Sequence, residues 1–360
     1  MKIKFIFQVS LFISVLLLPL QMSSQINRKE KKSKQFAQEF SQKLKDSIPS
    51  IGSFIVSKNG ETIFEEYFNG ATKETTFDVK SVTKSVTSIL AGIAKDKGYL
   101  TDLNTPVLNI LREYDISRTQ FKNTYDIEGK MHMDSTKRTL TLQHLLTMKG
   151  GFKWKENSSE IASAYFYSSD PVRFVFDLPF EEYPGDQFNY NTGETQVFGA
   201  ALSHLVHSSL KDFADKNLFE PLSLKVERWD TDVLNRNLAG SELFMKPSDM
   251  LAFGKLILNK GKVGNKQIVS EEWIKESTSK KVHFDFWDVL PNANGYGYYW
   301  WLRTSNGFKA IVAVGYGGQL ICIIPELKTV VVATCFLNEK NRGRSELKLL
   351  HNFIDQVKYL

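Results

Sequence analysis

The sequence predicts an α/β protein. An antiparallel sheet is assembled from both chain ends and flanked by terminal helices, and a mainly helical domain is inserted between. Three observations predict it. Ile51 to Ser57 and Glu61 to Phe68 are apolar runs joined through Lys58-Asn59-Gly60, and Asn-Gly between such runs is a strong hairpin signal. A lone hairpin is barely stable in water, so it needs more strands. The nearest strong candidates lie near the other end of the chain: Gly297 to Leu302, Phe308 to Val314, Gln319 to Ile324 and Thr329 to Cys335. Between the two groups the patterning is helical and punctuated by Pro/Gly loops.

In chain order, residues 30–46 read as an amphipathic helix carrying Phe36, Ala37, Phe40 and Leu44. The hairpin follows. Helical patterns then cover 81–98, 142–148, 159–167, 193–207, 247–259 and 270–279, and a last helix at about 344–358 carries Leu347, Leu350, Phe353, Ile354 and Val357. The expected organisation is a leader over 1–24, a discontinuous sheet domain from 25–80 plus about 290–360, and a helical domain over about 81–289. Clefts form at such boundaries. With a turn at Pro325-Glu326-Leu327-Lys328, Ile324 faces Thr329 and Cys322 faces Val331. Cys335 is then roughly 13 Å further along the strand, too far for a disulfide, so both cysteines read as buried free thiols.

A chain of 360 residues, 42% apolar and 24% charged, has ample core and the composition of a folded protein. Lys2 and Lys4 precede the apolar run Phe5 to Leu20, and Ser23 and Ser24 follow. This is the pattern of a secretory signal peptide cleaved near Ser24, predicting a periplasmic or secreted protein. The alternative is an uncleaved, membrane-tethering N-terminus, but the run is short for a span and Gln8, Ser10 and Ser14 interrupt it. No cysteine stands at its end to carry a lipid. Seven basic residues (Arg28, Lys29, Lys31, Lys32, Lys34, Lys43, Lys45) against Glu30 and Glu39 account for nearly all of the net charge of +6. The basic balance therefore belongs to one N-terminal helix, and no nucleic-acid partner is expected.

The chemistry is concentrated at Ser81-Val82-Thr83-Lys84, which opens the apolar helix continued by Val86, Ile89, Leu90, Ile93 and Ala94. Positions i and i+3 share a helix face, about 5–6 Å apart. A lysine there reaches the serine hydroxyl, and desolvation lowers its pKa toward use as a base. Such a pair replaces the imidazole of a Ser-His-Asp triad. The tetrapeptide recurs at Ser208–Lys211, Ser277–Lys280 and Ser345–Lys348. Ser277 reads as a solvated helix end, Ser208 as a helix terminus and Ser345 as an N-cap or first-turn residue. Only Ser81 opens a helix apolar enough to bury its lysine.

Two further constellations follow. In Pro184-Gly185-Asp186-Gln187-Phe188-Asn189-Tyr190-Asn191-Thr192-Gly193, the Pro-Gly turn and Phe188 present Tyr190 just before a helix. A phenol beside a lysine can relay a proton; packing in a loop is the plainer alternative. Ala313-Val314-Gly315-Tyr316-Gly317-Gly318-Gln319 lies between two strands. Glycines there let a ligand approach the backbone, and a strand N–H paired with that of Ser81 would form an oxyanion hole; a tight bend is again the plainer reading.

In this order and spacing the three constellations resemble the serine β-lactamase-like superfamily, over nearly all of the mature chain. That superfamily includes penicillin-binding proteins, class C β-lactamases, esterases and 6-aminohexanoate-dimer hydrolases. Phe77 to Ser85, Leu142-Gln143-His144-Leu145-Leu146-Thr147-Met148, and Tyr296-Gly297-Tyr298-Tyr299-Trp300-Trp301 share the likeness. The resemblance implies Ser81 as nucleophile, Lys84 as its base partner and Tyr190 as the family's tyrosine. It also implies Ser81 and Tyr316 as oxyanion N–H donors, and Thr192, Gly315, Gly317 and Gly318 as cleft candidates. Two positions depart from the pattern. Thr192 replaces the usual Asn, as a small residue does in the 6-aminohexanoate-dimer hydrolase branch, and Ala313 replaces the Lys or His that meets a β-lactam carboxylate.

The resulting expectation is a secreted or periplasmic serine hydrolase acting on a small ester or amide through an acyl-enzyme, with no cofactor or metal. A β-lactamase or cell-wall D-Ala-type peptidase is the nearest alternative, disfavoured by Ala313. A non-catalytic binding or sensor protein on the same fold is another. No G-x-S-x-G elbow occurs, and His132, His144, His204, His207, His283 and His351 show no zinc spacing. His204 and His207 read as surface residues and His144 as structural. Trp154, Tyr298, Trp300 and Trp301 are candidates for either core or cleft. Loops at about 120–137, 150–170 and 280–295 shape the pocket, and no pattern in them names the substrate or the oligomeric state.

Overall fold

The computed structural model describes residues 34–114, 124–125, 131–132, 134–156, 158–284, 290–337 and 344–360. The leader, its cleavage position and parts of the loops at 120–137 and 280–295 lie outside these residues. Two compact units are described, residues 34–49 with Gln356–Leu360, and Ser50–Asp355. In the first, helix α1 (34–47) buries Phe40 and Leu44, as its apolar spacing requires.

The second unit is built on one antiparallel sheet of eight strands. They are β1 (Ile51–Lys58), β2 (Glu61–Tyr67), β3 (Val282–His283), β4 (Ala293–Tyr296), β5 (Trp301–Ser305), β6 (Phe308–Gly315), β7 (Gln319–Ile324) and β8 (Thr329–Cys335), in the order β2-β1-β8-β7-β6-β5-β4-β3. The sheet thus joins both chain ends, with β1 against β8. The hairpin turn holds Asn59 and Gly60 at φ of 52° and 89°, the positive angles that a two-residue turn demands. Cys322 faces Val331 and Ile324 faces Thr329, and both cysteines are buried and free. Strands β7 and β8 are buried along their whole length, which explains their continuous apolar runs.

Helices α2 (Val82–Asp96), α3 (Thr192–Val206), α4 (Pro247–Leu258), α5 (Glu271–Ser277) and α6 (Arg344–Ile354) match patterned segments. Helix α2 buries every residue from Val82 to Ala94. Helix α6 packs on the sheet where Arg303 of β5 meets His351, 2.6 Å apart.

Four expectations are corrected. Gly297 to Leu302 is not one strand: β4 ends at Tyr296 and β5 begins at Trp301. The chain turns between them, with Tyr299 at φ 62° and the Gly297 N–H donating to the Trp300 carbonyl at 2.8 Å. The aromatic run signalled a strand by β-propensity, and tertiary packing of those rings overrode it. Ser277 is buried rather than solvated, because its helix end tucks under Tyr298, whose N–H donates to the Ser277 carbonyl at 2.8 Å. The last helix stops at Ile354, and a short 3-10 turn, Val357–Tyr359, follows. Val282–His283 extends the sheet earlier in the chain than expected, as its far edge.

Candidate active site

Ser81 sits at the N-cap position of α2 (φ −71°, ψ −2°), and its side chain makes no capping bond. The hydroxyl is therefore not spent on a helix N–H, the usual use of serine there. Instead Ser81 Oγ accepts a hydrogen bond from Lys84 Nζ at 2.9 Å. The turn is tied down on both sides. Lys80, just before Ser81, is held at φ 50°. Its N–H donates to Asp78 at 2.9 Å and its ammonium to Glu242 at 2.8 Å. Ser85, just after Lys84, donates to the Tyr299 carbonyl at 2.7 Å.

Lys84 is 1% exposed. Its ammonium also donates to Thr192 Oγ1 at 2.9 Å and to the Gly240 carbonyl at 3.0 Å. Burial lowers its pKa to about 8, while the Glu156 charge pulls the other way. At Gly240 a Cβ would come within 3.2 Å of that ammonium nitrogen, so a side chain there would crowd the lysine.

Tyr190 hydrogen-bonds Ser81, and burial raises its phenol far above the ordinary range. Lys84 lies 5.0 Å from the Tyr190 ring centroid. The ring stacks on Trp301 at 5.4 Å and meets Tyr296 edge-on at 6.3 Å. Phe188 packs on Tyr296 and Trp301, so it does anchor the loop. Asn191 caps α3 by accepting the Glu194 N–H at 3.0 Å. This fixes where the helix starts and holds Thr192 at its first turn.

The glycine segment lies beside this turn. At Gly315 a Cβ would stand 2.2 Å from the Val79 carbonyl, so only glycine lets the end of β6 approach the chain leading into Ser81. Tyr316, the next residue, is 50% exposed. Gly317 and Gly318 form the turn at φ 84° and 96° and back onto Leu337 and Cys335. Gln319 bridges to Cys335, donating to its carbonyl at 2.7 Å. Ala313 is buried and, by strand alternation, shares the face of β6 on which Gly315 meets Val79.

The structure thus brings Ser81, Lys84, Tyr190 and Thr192 together, with Gly315 alongside. Of the aromatic candidates, Trp301 stacks on Tyr190 and Trp154 donates to Glu156 at 2.7 Å. Tyr298 and Trp300 are buried, packed on Trp273 and Phe253. His144 closes a reciprocal cap with Thr141, and His204 and His207 are exposed.

Sequence reasoning missed two contributors. Glu156 accepts from the Thr192 N–H at 2.9 Å and from its hydroxyl; a lone glutamate in a loop carries no local signal. Gly240 acts through its carbonyl, which no residue type advertises. A polar relay holds the residue before it, Ala239. Arg236 bonds Asp170 and Asp232 at 2.7 and 2.8 Å, Gln196 donates to Asp232 at 3.2 Å, and its oxygen accepts the Ala239 N–H at 2.9 Å.

The beta-lactamase family model matches residues 36–353. The chain belongs to the beta-lactamase family. It is accordingly a serine hydrolase of the β-lactamase-like superfamily, the class that its sequence implies. No curated protein matches this beta-lactamase-family chain in sequence. Solved structures share its fold. A Bacillus anthracis protein assigned as a 6-aminohexanoate-dimer hydrolase is 20% identical, with a TM-score of 0.68 over 88% of this chain and 80% of that one. EstCE1, a hydrolase with promiscuous acyltransferase activity, is 16% identical, with a TM-score of 0.71 over 92% and 99%. A D-stereospecific amidohydrolase from Streptomyces sp. is 14% identical, with a TM-score of 0.64 over 86% and 96%. Among the described residues no helix is long and apolar enough to cross a membrane, and no three His, Cys, Asp or Glu residues cluster as a metal site.

Proposed function

We propose that the protein cleaves a small ester or amide through an acyl-enzyme formed on Ser81, with Lys84 as the base and Tyr190 as the proton relay. The observation that carries this reading is the desolvated Lys84 ammonium, 2.9 Å from a serine hydroxyl that caps nothing. With its pKa lowered to about 8, Lys84 has a neutral fraction near physiological pH, which an exposed lysine lacks. Tyr190 is pushed the opposite way. Its phenol keeps its proton at rest and suits handing one to the leaving group, so Lys84 rather than a tyrosinate is the resting base.

In this reading Lys84 removes the Ser81 proton as the oxygen attacks the carbonyl, and the backbone N–H groups of Ser81 and Tyr316 receive the oxyanion. Tyr190 passes a proton to the leaving alcohol or amine. Water then repeats the sequence on the acyl-enzyme. The cleft lies between the sheet portion and the inserted helical portion, with Thr192, Gly315, Gly317 and Gly318 along it.

Esters and linear amides are favoured over β-lactams, because Ala313 offers no cation to a substrate carboxylate. Neighbours of the same fold include proteins described as a 6-aminohexanoate-dimer hydrolase, a hydrolase with promiscuous acyltransferase activity and an amidohydrolase, as well as ones described as beta-lactamases, so the preference rests on Ala313. The N-terminal pattern of Lys2 and Lys4 before the run Phe5 to Leu20 supports a location outside the cytoplasm, a reading that N-terminal sequencing of mature protein beginning near residue 25 would test. For the chemistry, a fluorophosphonate probe is expected to label Ser81, and a screen of short acyl esters, linear amides and a chromogenic β-lactam reads out the substrate class. Absence of labelling on folded protein would favour a binding protein on this fold.

A further inference from the structure

The Thr192 hydroxyl has a fixed direction. It accepts from Lys84 Nζ at 2.9 Å and donates its own proton to Glu156 Oε1. The other Glu156 oxygen accepts from the Thr192 N–H at 2.9 Å and from the Trp154 indole at 2.7 Å. The carboxylate is thereby held at the first turn of α3, where the helix dipole favours negative charge. One threonine separates it from the lysine. Its hydroxyl, coupled to the carboxylate, stands between the two.

We propose that Glu156 is a positioning residue: through the Thr192 hydroxyl it holds Lys84 toward Ser81 and sets how readily that lysine gives up its proton. The proposal rests on Lys84 being the base at Ser81. Lys84 lies over the Tyr190 ring at the foot of α3 and feels the charge of Glu156 on the loop after Trp154; beyond them, Tyr296 and Tyr299 interact with Tyr190, and Glu194 on α3 with Tyr299. Among these, the tyrosines and Glu194 are driven toward their neutral forms by burial. Glu156 is the one whose charge acts on Lys84, favouring the ammonium against the desolvation that opposes it. Without Glu156 the lysine would be still less basic and its ammonium would lose part of its anchor.

The test is the pH dependence of fluorophosphonate labelling, and of kcat/KM for a short ester, in wild type, Glu156→Gln and Glu156→Asp. Removing the charge is expected to move the acidic limb to lower pH by roughly one unit or more, the scale of an opposite charge at this range. Keeping the charge in Glu156→Asp is expected to hold the limb near its wild-type position. If Glu156→Gln does not fold, Thr192→Val and Thr192→Ser test the hydroxyl link through which Glu156 is proposed to act. Loss of the hydroxyl removes an acceptor from the ammonium and is expected to lower the limb, and serine is expected to restore it. An unmoved limb with an altered rate would overturn the proposal and leave Glu156 a packing residue. Lys84→Ala separates the two levels: fast labelling in that variant sinks the assignment of Lys84 itself, whereas loss of labelling together with an unmoved Glu156→Gln limb sinks only the role of Glu156.

Discussion

Lys84 Nζ lies 2.9 Å from Ser81 Oγ on its own helix and 2.9 Å from Thr192 Oγ1 on another. One ammonium therefore joins the start of α2 to the start of α3. The spacing of three within α2 accounts for the first contact. The second depends on the Asn191 cap, which decides where α3 begins.

Ser81→Ala is expected to abolish hydrolysis and leave the fold intact, because it deletes one oxygen from a helix start that uses that oxygen for no cap. The loss is expected to be at least roughly a thousandfold in kcat, typical of removing a nucleophile. Alanine at Ser208 or Ser345, the other helix-terminal serines of the same tetrapeptide, is expected to leave the rate unchanged. Turnover by Ser81→Ala at the wild-type rate would remove Ser81 from the mechanism.

Lys84→Arg is expected to be nearly as damaging as Lys84→Ala. Arginine keeps the charge but cannot yield its proton at working pH. The buried ammonium titrates near 8, and the base works only when neutral. So kcat/KM is expected to rise with pH through about 8 and level off above it. A profile flat from pH 6 to 9, or an active arginine variant, would make Lys84 an electrostatic support and require another base.

The sheet, the hairpin and most helices were legible because their signals are local. Asn59-Gly60 specifies a turn by backbone angle, and β7 and β8 carry unbroken apolar runs because helices and strands cover them. Ser81 and Lys84 were legible because helical spacing alone brings them together. Glu156 and Gly240 were not, since both reach Lys84 across long stretches of chain, one through a carboxylate and one through a backbone carbonyl. Tyr298 to Trp301 misled for a related reason. Their aromatic character signals a strand, while Gly297 and the left-handed Tyr299 make the chain turn.

Acid is expected to loosen the C-terminal helix. Arg303 donates to His351 Nδ1, and an arginine is always a donor, so the imidazole is neutral with its proton on Nε2. Burial, then the Arg303 charge, push its pKa well below the usual 6.5. A base whose folded pKa is depressed stabilises fully above its unfolded pKa, and that stability drains as pH falls below it. The decline is about 1.4 kcal/mol per pH unit until the folded pKa is reached. His351→Asn retains an acceptor for Arg303 but cannot charge. Thermal melts between pH 7 and 5 are expected to fall less steeply for this variant than for wild type. Parallel slopes would show that other groups govern acid sensitivity.

Penicillins and cephalosporins are expected to be poor substrates beside a short-chain p-nitrophenyl ester. Ala313 is buried on the face of β6 that meets the approach to Ser81, where a methyl group cannot pair a carboxylate. One charge-assisted hydrogen bond is worth about 1.5–3 kcal/mol, roughly ten- to a hundredfold in transition-state binding. Arg303 does not substitute for it, because its guanidinium is committed to His351 and Asp355. Lys309 is exposed near the far end of β6 from Gly315. Ala313→Lys is therefore expected to raise β-lactam turnover relative to the ester. The deciding measurement is kcat/KM for nitrocefin and for p-nitrophenyl acetate on one preparation. A nitrocefin value equal to or above that for the ester would make β-lactams the preferred substrate despite Ala313, and the cation for their carboxylate would then have to come from outside β6.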